Sequence, residues 1–312
     1  MSPPSVFCGG IRMIAVVGSN NVDVVLTVDH FTRAGETQKC TTLNYFPGGK
    51  GANQAVAAKK LGAEVYFLTC VGNDGNAQFA VGSLKKAGLE KGIKRVDSSN
   101  GMAIIEVEAS GNNRIVIYPG ANDYLTESVV EAARDELLKA DVLLLQNEIP
   151  FSATFHVARL FHEAGKLVIF DPAPSKGITK EIFQYVDIIT PNESEAVSLV
   201  GDLPPEMLIK ELKKLGCKNV LLKLGEKGTI FSGELGEFSL DAFKVDAVDT
   251  TAAGDTFNGA LAVAIENGLD MIEAVKFASA AAAISVTRMG AQPSCPTLEE
   301  VRFFLDERGV KI

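Results

Sequence analysis

From Met13 onward, short apolar β-type runs alternate with stretches whose apolar residues recur at helical spacing, the pattern of a parallel sheet with helices on both faces. Residues 14–18, 65–71, 142–145, 167–170, 186–190 and 220–224 read as strands, and 243–248 as a further β-type run. Helical periodicity marks 51–61, 77–87, 126–139, 152–164, 193–200, 206–215 and 256–265, with a short helix at 298–306. Two segments break the rhythm. Residues 22–28 with 39–46, and 103–108 with 114–118, alternate polar and apolar positions around turns containing Gly35 or Ser110-Gly111-Asn112-Asn113, as hairpins do. Hairpins this thin cannot hold a core of their own, so they must rest on the main domain, a ligand or a second subunit. They are read as a lid over the sheet.

Composition narrows the class. Of 312 residues, 46% are hydrophobic, enough for a sizeable core, and no apolar run is long enough to cross a bilayer, so a soluble globular protein of one large domain with a small insertion is expected. A net charge of −9 with no Lys/Arg cluster argues against a nucleic-acid partner and for a small substrate. Cys8, Cys40, Cys70, Cys217 and Cys295 are scattered and odd in number, matching neither metal-ligand spacing nor a disulfide framework, which points to a reducing cytoplasm. Residues 1–12 carry prolines and a Gly-Gly but no basic region followed by a long apolar core, so they read as a mobile extension and not a signal peptide.

The most informative stretch is Asp249-Thr250-Thr251-Ala252-Ala253-Gly254-Asp255, which joins the β-type run 243–248 to the helix pattern from Thr256. Ala252, Ala253 and Gly254 are small enough for a ligand to approach the main chain, and unpaired N–H groups at a helix start attract anions. Asp255 then stands beside a bound phosphate as a candidate general base. A plain Asp N-cap after a Gly turn is the other reading.

A second site is Gly48-Gly49-Lys50-Gly51-Ala52-Asn53. It lacks the spacing of a nucleotide P-loop, and Gly72-Asn73-Asp74-Gly75 and Gly225-Glu226-Lys227-Gly228 fail the dinucleotide fingerprint. Its backbone amides, Lys50 and Asn53 suit a hydroxyl-rich ligand. Asn21 and Asp23 follow the first strand, where open parallel sheets bind ligands, and a carboxylate there suits vicinal hydroxyls; an Asx turn is the alternative. Glu148 holds an equivalent place after residues 142–145 and reads either as a hydroxyl acceptor or as a carboxylate in water. Asn192 and Glu195, three apart at a helix start, fit an outer-sphere magnesium (Mg2+) site or a capping box.

Together with the segment Ser285-Val286-Thr287-Arg288-Met289-Gly290-Ala291-Gln292-Pro293-Ser294, these motifs resemble the ribokinase branch of the PfkB carbohydrate kinases, in consistent order from about residue 14 to about residue 296. The resemblance implies an α/β/α sandwich over residues 13–312, with a central mostly parallel sheet and a small β-sheet lid, from about 22–46 and 101–119, that also clasps a homodimer. It implies transfer of the ATP γ-phosphoryl group to O5 of D-ribose, with Asp255 as base and an anion hole at Ala252, Ala253, Gly254 and Asp255. By the same resemblance Asn21, Asp23, Gly49, Lys50, Asn53, Glu148 and Asp255 orient ribose. Asn192, Lys223, Leu224, Gly225, Glu226, Lys227, Gly228, Gly254 and Ser279 hold the nucleotide. Asp249, Thr251, Ser285, Arg288, Gly290 and Ser294 supply a potassium (K+) site largely through carbonyl oxygens, so that the main chain of Arg288, and not its side chain, faces the ion. Other kinases of the family, for fructose, 2-keto-3-deoxygluconate or a nucleoside, and a non-catalytic sugar sensor are the alternatives.

Two positions depart from the family pattern. Lys223 stands where ribokinases often carry threonine. Ala252 stands where glycine is common, a change that a methyl group permits if the backbone avoids the left-handed region. The run at 279–283 reads more as a tight helix contact than as a site.

Overall fold

The first strand shows how the layers arise. β1 (Met13–Val17) sends Ile14 and Val16 into one core and Ala15 and Val17 into the other, and all four are buried. A strand covered on both sides has this two-faced apolar alternation. The computed structural model describes residues 13–108, 110 and 112–312; the expected extension at 1–12 and Gly111 of the second hairpin turn lie outside the described residues.

After β1 come β2 (Asn21–Val28), β3 (Thr42–Gly48), α1 (Lys50–Lys60), β4 (Glu64–Val71), α2 (Gly75–Lys86), β5 (Ile93–Arg95), β6 (Gly101–Glu108) and β7 (Asn113–Tyr118). The middle of the chain forms α3 (Glu127–Ala132), α4 (Arg134–Leu137), β8 (Val142–Leu145), α5 (Phe151–Glu163), β9 (Leu167–Phe170), β10 (Ile188–Ile189), α6 (Glu193–Val200) and α7 (Pro205–Lys214). The last part holds β11 (Asn219–Lys223), β12 (Thr229–Gly233), β13 (Gly236–Leu240), α8 (Ala253–Glu266), α9 (Met271–Ser285) and α10 (Leu298–Asp306).

The main sheet runs β13-β12-β11-β10-β9-β8-β1-β4-β5, parallel from β11 to β5, with β12 and β13 antiparallel at one edge. Leu84, Ala260, Ala280 and Val301 of α2, α8, α9 and α10 pack with α1 on one face. Val130, Leu137, Val157, Ala196 and Leu208 of α3 to α7 cover the other. The expected α/β/α sandwich is therefore present. The two hairpins join into one separate four-stranded sheet, β3-β2-β6-β7, because β2 and β6 pair in parallel between them.

Several expectations need correction. Residues 243–248 form no strand: Val248 and Asp249 donate their N–H groups to the Val286 carbonyl at 2.7 and 3.1 Å, and Phe243 packs edge-on against Phe304 at 5.3 Å, so this apolar segment rests on α9 and α10. The strand expected at 186–190 shortens to Ile188–Ile189. The helix expected at 126–139 is two, meeting at Ala133 with φ −105° and ψ 2°, and Val130, Ala133 and Leu137 are all buried there. β5, β12 and β13 have no counterpart among the expected elements, and α9, an Ala-rich helix apolar on most sides, extends well beyond the helix contact expected at residues 279–283.

Candidate active site

The first turn of α1 is tied to two strand ends. Helix starts leave N–H groups without intrahelical acceptors, and Gly49 at the N-cap has no side chain to offer. Glu148 Oε2 accepts from Lys50 N at 3.0 Å, Ser19 Oγ from Gly51 N at 3.3 Å, and Ser19 O from Ala52 N at 2.9 Å. Ser19 Oγ also donates to Glu148 Oε2 at 2.6 Å, closing the link between the ends of β1 and β8. The amides of residues 50–52 are thus engaged within the protein, which corrects the expectation that they serve a ligand. Gly49 has φ 89°, and a Cβ there would stand 2.7 Å from Asn21 N, so only glycine permits this approach.

Locking α1 in this way delivers Asn53 and Gln54 to Asp255. Asn53 Nδ2 donates to Asp255 Oδ2 at 2.9 Å, and Gln54 Nε2 donates to Oδ1 at 3.2 Å. Gln54 Nε2 also donates to Asp171 Oδ2 at 3.0 Å, and Gln146 Nε2 donates to Gln54 Oε1 at 2.6 Å, which fixes the amide's orientation. Asn53 Oδ1 has no partner among the described residues and is buried, so it can accept from a ligand hydroxyl. Burial pushes the Asp255 carboxyl up to about 6; Asp171 and Glu148 push the same way, while Lys50 and the Asn53 amide oppose. A carboxyl poised there can take a proton near neutrality.

The residues expected to bind sugar converge on the same point. Asp23 on β2 is buried, and its carboxyl is raised to about 7 by desolvation and by the neighbouring Glu148 and Asp255, with Lys50 pulling the other way. Burial works against the charge of Lys50, but Asp255, Glu148, Asp171 and Glu195 outweigh it and hold the ammonium above its ordinary value. Asn21 Oδ1 accepts from Asn122 Nδ2 at 2.7 Å, and Asn122 Oδ1 in turn accepts from Asn20 N at 2.9 Å. Glu148, far from being a loop carboxylate in water, is held by Ser19 and Lys50.

On the other side stands the turn at 252–255. Ala252 has φ 57° and ψ 17°, the left-handed region, contrary to the expectation that an alanine would avoid it. Such a conformation costs about 1–2 kcal/mol for a residue with a Cβ, and it turns successive amides toward one concavity. The Ala252, Gly254 and Asp255 N–H groups have no acceptor among the described residues, whereas Ala253 N is held by Thr250 O at 3.2 Å. Three of the four expected anion-hole amides are therefore open.

Lys223 ends β11 beside Asn192, its N–H donating to Pro191 O at 2.9 Å. Gly225, Glu226 and Lys227 form one exposed turn of 3-10 helix, closed by Leu224 N donating to Gly228 O at 2.8 Å. Ser279 sits half-buried on α9, and among the described residues no hydrogen bond ties it to that turn. Asn192 and Glu195 form the full capping box of α6: Glu195 N donates to Asn192 Oδ1 and Asn192 N to Glu195 Oε2, both at 2.8 Å. The carboxyl of Glu195 is raised by burial and by Asp171, with Lys223 opposing, which places it beside the same centre.

The residues expected to hold a monovalent cation are brought together by Asp249. Its Oδ1 accepts from Thr251 N at 2.9 Å and its Oδ2 from Gly290 N at 2.8 Å. Burial pulls this carboxyl up, but the hydrogen bonds from Thr251 and Gly290 win and hold it below its usual range. Arg288 turns its guanidinium to Glu300 at 2.6 Å. Ser285 and Ser294 are buried at the two ends of that loop, their hydroxyls donating to Ala282 O and Ala291 O.

Asp171, Gln54, Gln146 and Ser19 were missed by the sequence reading. Asp171, Gln146 and Ser19 each fall just beyond a parallel strand, where ligand sites of open sheets lie, and that position was the available signal.

A small-residue turn carrying the buried Asp255 thus stands against a polar cluster of Asp23, Lys50 and Asn53. The family described as pfkB family carbohydrate kinase matches residues 11–298. This chain belongs to the PfkB family of carbohydrate kinases. Among curated relatives, the ribokinase of Haemophilus influenzae is 39% identical over 306 residues, covering 95% of this chain and 99% of that protein. Among solved structures, the ribokinase of Thermotoga maritima is 50% identical with a TM-score of 0.89, covering 95% of this chain and 99% of that one. The Arabidopsis thaliana ribokinase complexed with ribose and ATP is 32% identical with a TM-score of 0.85, again covering 95% and 99%. The PfkB assignment makes a carbohydrate kinase of the chain, and Asp255 with its open amides is the chemistry that such a kinase needs.

Proposed function

We propose that this protein transfers the γ-phosphoryl group of ATP to O5 of D-ribose, giving D-ribose 5-phosphate and ADP. The observation that carries the reading is Asp255, buried and oriented by Asn53 and Gln54, at the head of a helix whose open amides face the same concavity. Asn21, Asp23, Gly49, Lys50, Asn53 and Glu148 orient the sugar. Asp255 takes the proton of the attacking hydroxyl, a bond forms between O5 and the γ-phosphorus, and the bond to the β-phosphate oxygen breaks as ADP leaves. The N–H groups of Ala252, Gly254 and Asp255 stabilise the charge on the transferring group. Asn192, Lys223 to Gly228, Gly254 and Ser279 line the nucleotide.

Two ions belong to this reading. Glu195 keeps one carboxylate oxygen outside the capping box, which suits a water shared with magnesium, an ion that retains most of its hydration. Bound magnesium neutralises phosphate charge. Potassium would be held by Asp249, Thr251, Ser285, Arg288, Gly290 and Ser294, largely through carbonyl oxygens, on the loop that Asp249 ties together through Thr251 N and Gly290 N, and there it would steady the turn at 252–255. The apolar lid favours a homodimer, and free Cys40, Cys70, Cys217 and Cys295 suit a reducing cytoplasm. No helix among the described residues is long and apolar enough to cross a membrane.

The test is a substrate panel with Mg-ATP and potassium, read by ADP release. Ribose is expected to have the highest kcat/KM, and a much higher value for fructose or a nucleoside overturns the sugar assignment.

A further inference from the structure

Lys223 and Asp171 form an ion pair at 3.2 Å with side chains only 13% and 4% exposed, whereas in each other ion pair among the described residues one side chain is at least 32% exposed. Burying two charges is poor stabilisation, since desolvation offsets most of the attraction and an apolar pair of similar volume does as well. The position of this pair supplies another reason for it. Lys223 is anchored by its own N–H to Pro191 O at 2.9 Å, and its Nζ stands 3.5 Å from where a Cβ on Gly254 would be, directly beside the anion turn. Asp171, which holds that ammonium, shares the Gln54 amide with Asp255.

The charge balance of the centre points the same way. Asp23, Asp171, Glu148, Glu195 and Asp255 act on one another there, with Lys50 and Lys223 as the cations that act on them. Lys50 starts the helix that carries the sugar-side Asn53, while Lys223 ends the strand that leads into the nucleotide turn. A phosphoryl group entering among those carboxylates needs a cation on the nucleotide side.

We propose that Lys223 contacts the transferring phosphoryl group, and that Asp171 is the positioning residue that holds its ammonium over the 252–255 turn. This rests on the kinase reading above. Lys223 contributes charge and no proton: the hydroxyl proton still goes to Asp255, the O5–P bond forms, and ADP carries off the electron pair of the broken bond.

The experiment compares full-length protein with Lys223→Met, Lys223→Arg, Asp171→Asn and the double variant Asp171→Asn/Lys223→Met. Each is measured for kcat, KM for ATP, KM for ribose, Tm, and affinity for a non-hydrolysable ATP analogue. Lys223→Met is expected to lose at least about tenfold in kcat and to raise the ATP KM, with the ribose KM unchanged, and Lys223→Arg to recover much of both. The double variant replaces the buried pair by neutral groups, so it is expected to regain the native Tm while kcat stays low. If it regains native kcat and ATP KM as well, Lys223 merely neutralises Asp171 and the proposal is wrong. Native kinetics in a folded Lys223→Met also overturns it. If the native protein turns over no ribose, the sugar assignment fails, and the Lys223 contact is still decided by analogue binding: about tenfold weaker in Lys223→Met upholds it, equal affinity refutes it.

Discussion

Asn53 donates to one carboxylate oxygen of Asp255 at 2.9 Å while its chain neighbour Gln54 donates to the other at 3.2 Å. Both donors sit on α1 and the acceptor on α8, so the orientation of the base depends on how these two helices pack. Asp255→Asn presents an N–H to one of the two donors and removes the proton acceptor. Its kcat is expected to fall on the order of 10²–10⁴-fold with ribose affinity largely kept. Steady-state kinetics with ribose titration checks this, and near-normal turnover would remove Asp255 from the role of base.

The raised carboxyl of Asp255 has a consequence for stability. Its folded value of about 6 lies above the ordinary 3.8, so the fold favours the neutral acid. That contribution is fully present below about 3.8 and is lost as pH rises through about 6. Asn at 255 cannot ionise, and its mismatch with the two donors is independent of pH. The Tm difference, variant minus native, is therefore expected to be more positive at pH 8 than at pH 4 in ligand-free protein. A difference that stays flat across this range contradicts the raised value. In kinetics, kcat/KM for ribose should rise with pH along a limb near 6, since only the ionised carboxyl accepts the proton.

Gln54 has both amide hydrogens directed at carboxylates and its oxygen fixed by Gln146. Gln54→Leu leaves Asp171 and Asp255 each short of a buried donor and frees the base to rotate. The expected loss is about tenfold to hundredfold in kcat, because small misplacements of a reacting group have effects of that size. The ribose KM should change less than kcat, since the Gln54 side chain bonds Asp171, Asp255 and Gln146 and, among the described residues, not Asn21, Asp23, Lys50 or Glu148. Equal kcat in a folded Gln54→Leu protein would count against any orienting role.

What was legible in the sequence divides along the same line. Asp255, Asn53 and Lys50 were found because each lies in a contiguous motif whose small residues and polar groups make chemical sense together. Asp171, 117 positions from Gln54, and Gln146, 92 positions away, enter only through the fold. Local pattern fixes which segments are strands but not which strand ends stand side by side. Residues 243–248 failed for the opposite reason, since an apolar run of strand length looks the same whether it pairs with β13 or lies across α9 and α10. At Ala252 local propensity argued for an ordinary backbone, and the geometry of the turn overrode it.

Asp249 bridges the two segments of the cation loop by accepting from Thr251 N and Gly290 N. Potassium held by that loop would steady the neighbouring anion turn, so replacing it by sodium, which prefers shorter oxygen distances, is expected to slow the enzyme. Asp249→Ala removes the bridge and should abolish the difference between the two salts. Equal native rates in potassium and sodium chloride at one ionic strength would count against the site.

The lid carries the remaining prediction. Opposed residues of neighbouring strands share a face, and the registers place Leu43, Tyr45, Ile104, Val116 and Tyr118 on one face of the β3-β2-β6-β7 sheet. All five are at least 36% exposed, an apolar patch of the sort that marks an interface. Asp23 pairs with Phe46 and Ala103 and so lies on the opposite face, toward the sugar cluster. A second copy covering the outer face would stiffen the sheet that presents Asp23. Val116 is 65% exposed on the edge strand β7, so Val116→Asp disturbs the isolated chain little while placing a charge in that interface. Light scattering is expected to show a native dimer of 33.1 kDa chains and a monomeric variant. The ribose KM of the variant should rise more than its ATP KM, because β2 carries Asp23 while the residues proposed for the nucleotide belong to the main domain. A native protein that is monomeric at micromolar concentration would sink the clasp, and a monomeric variant with native ribose KM would separate dimer formation from sugar binding.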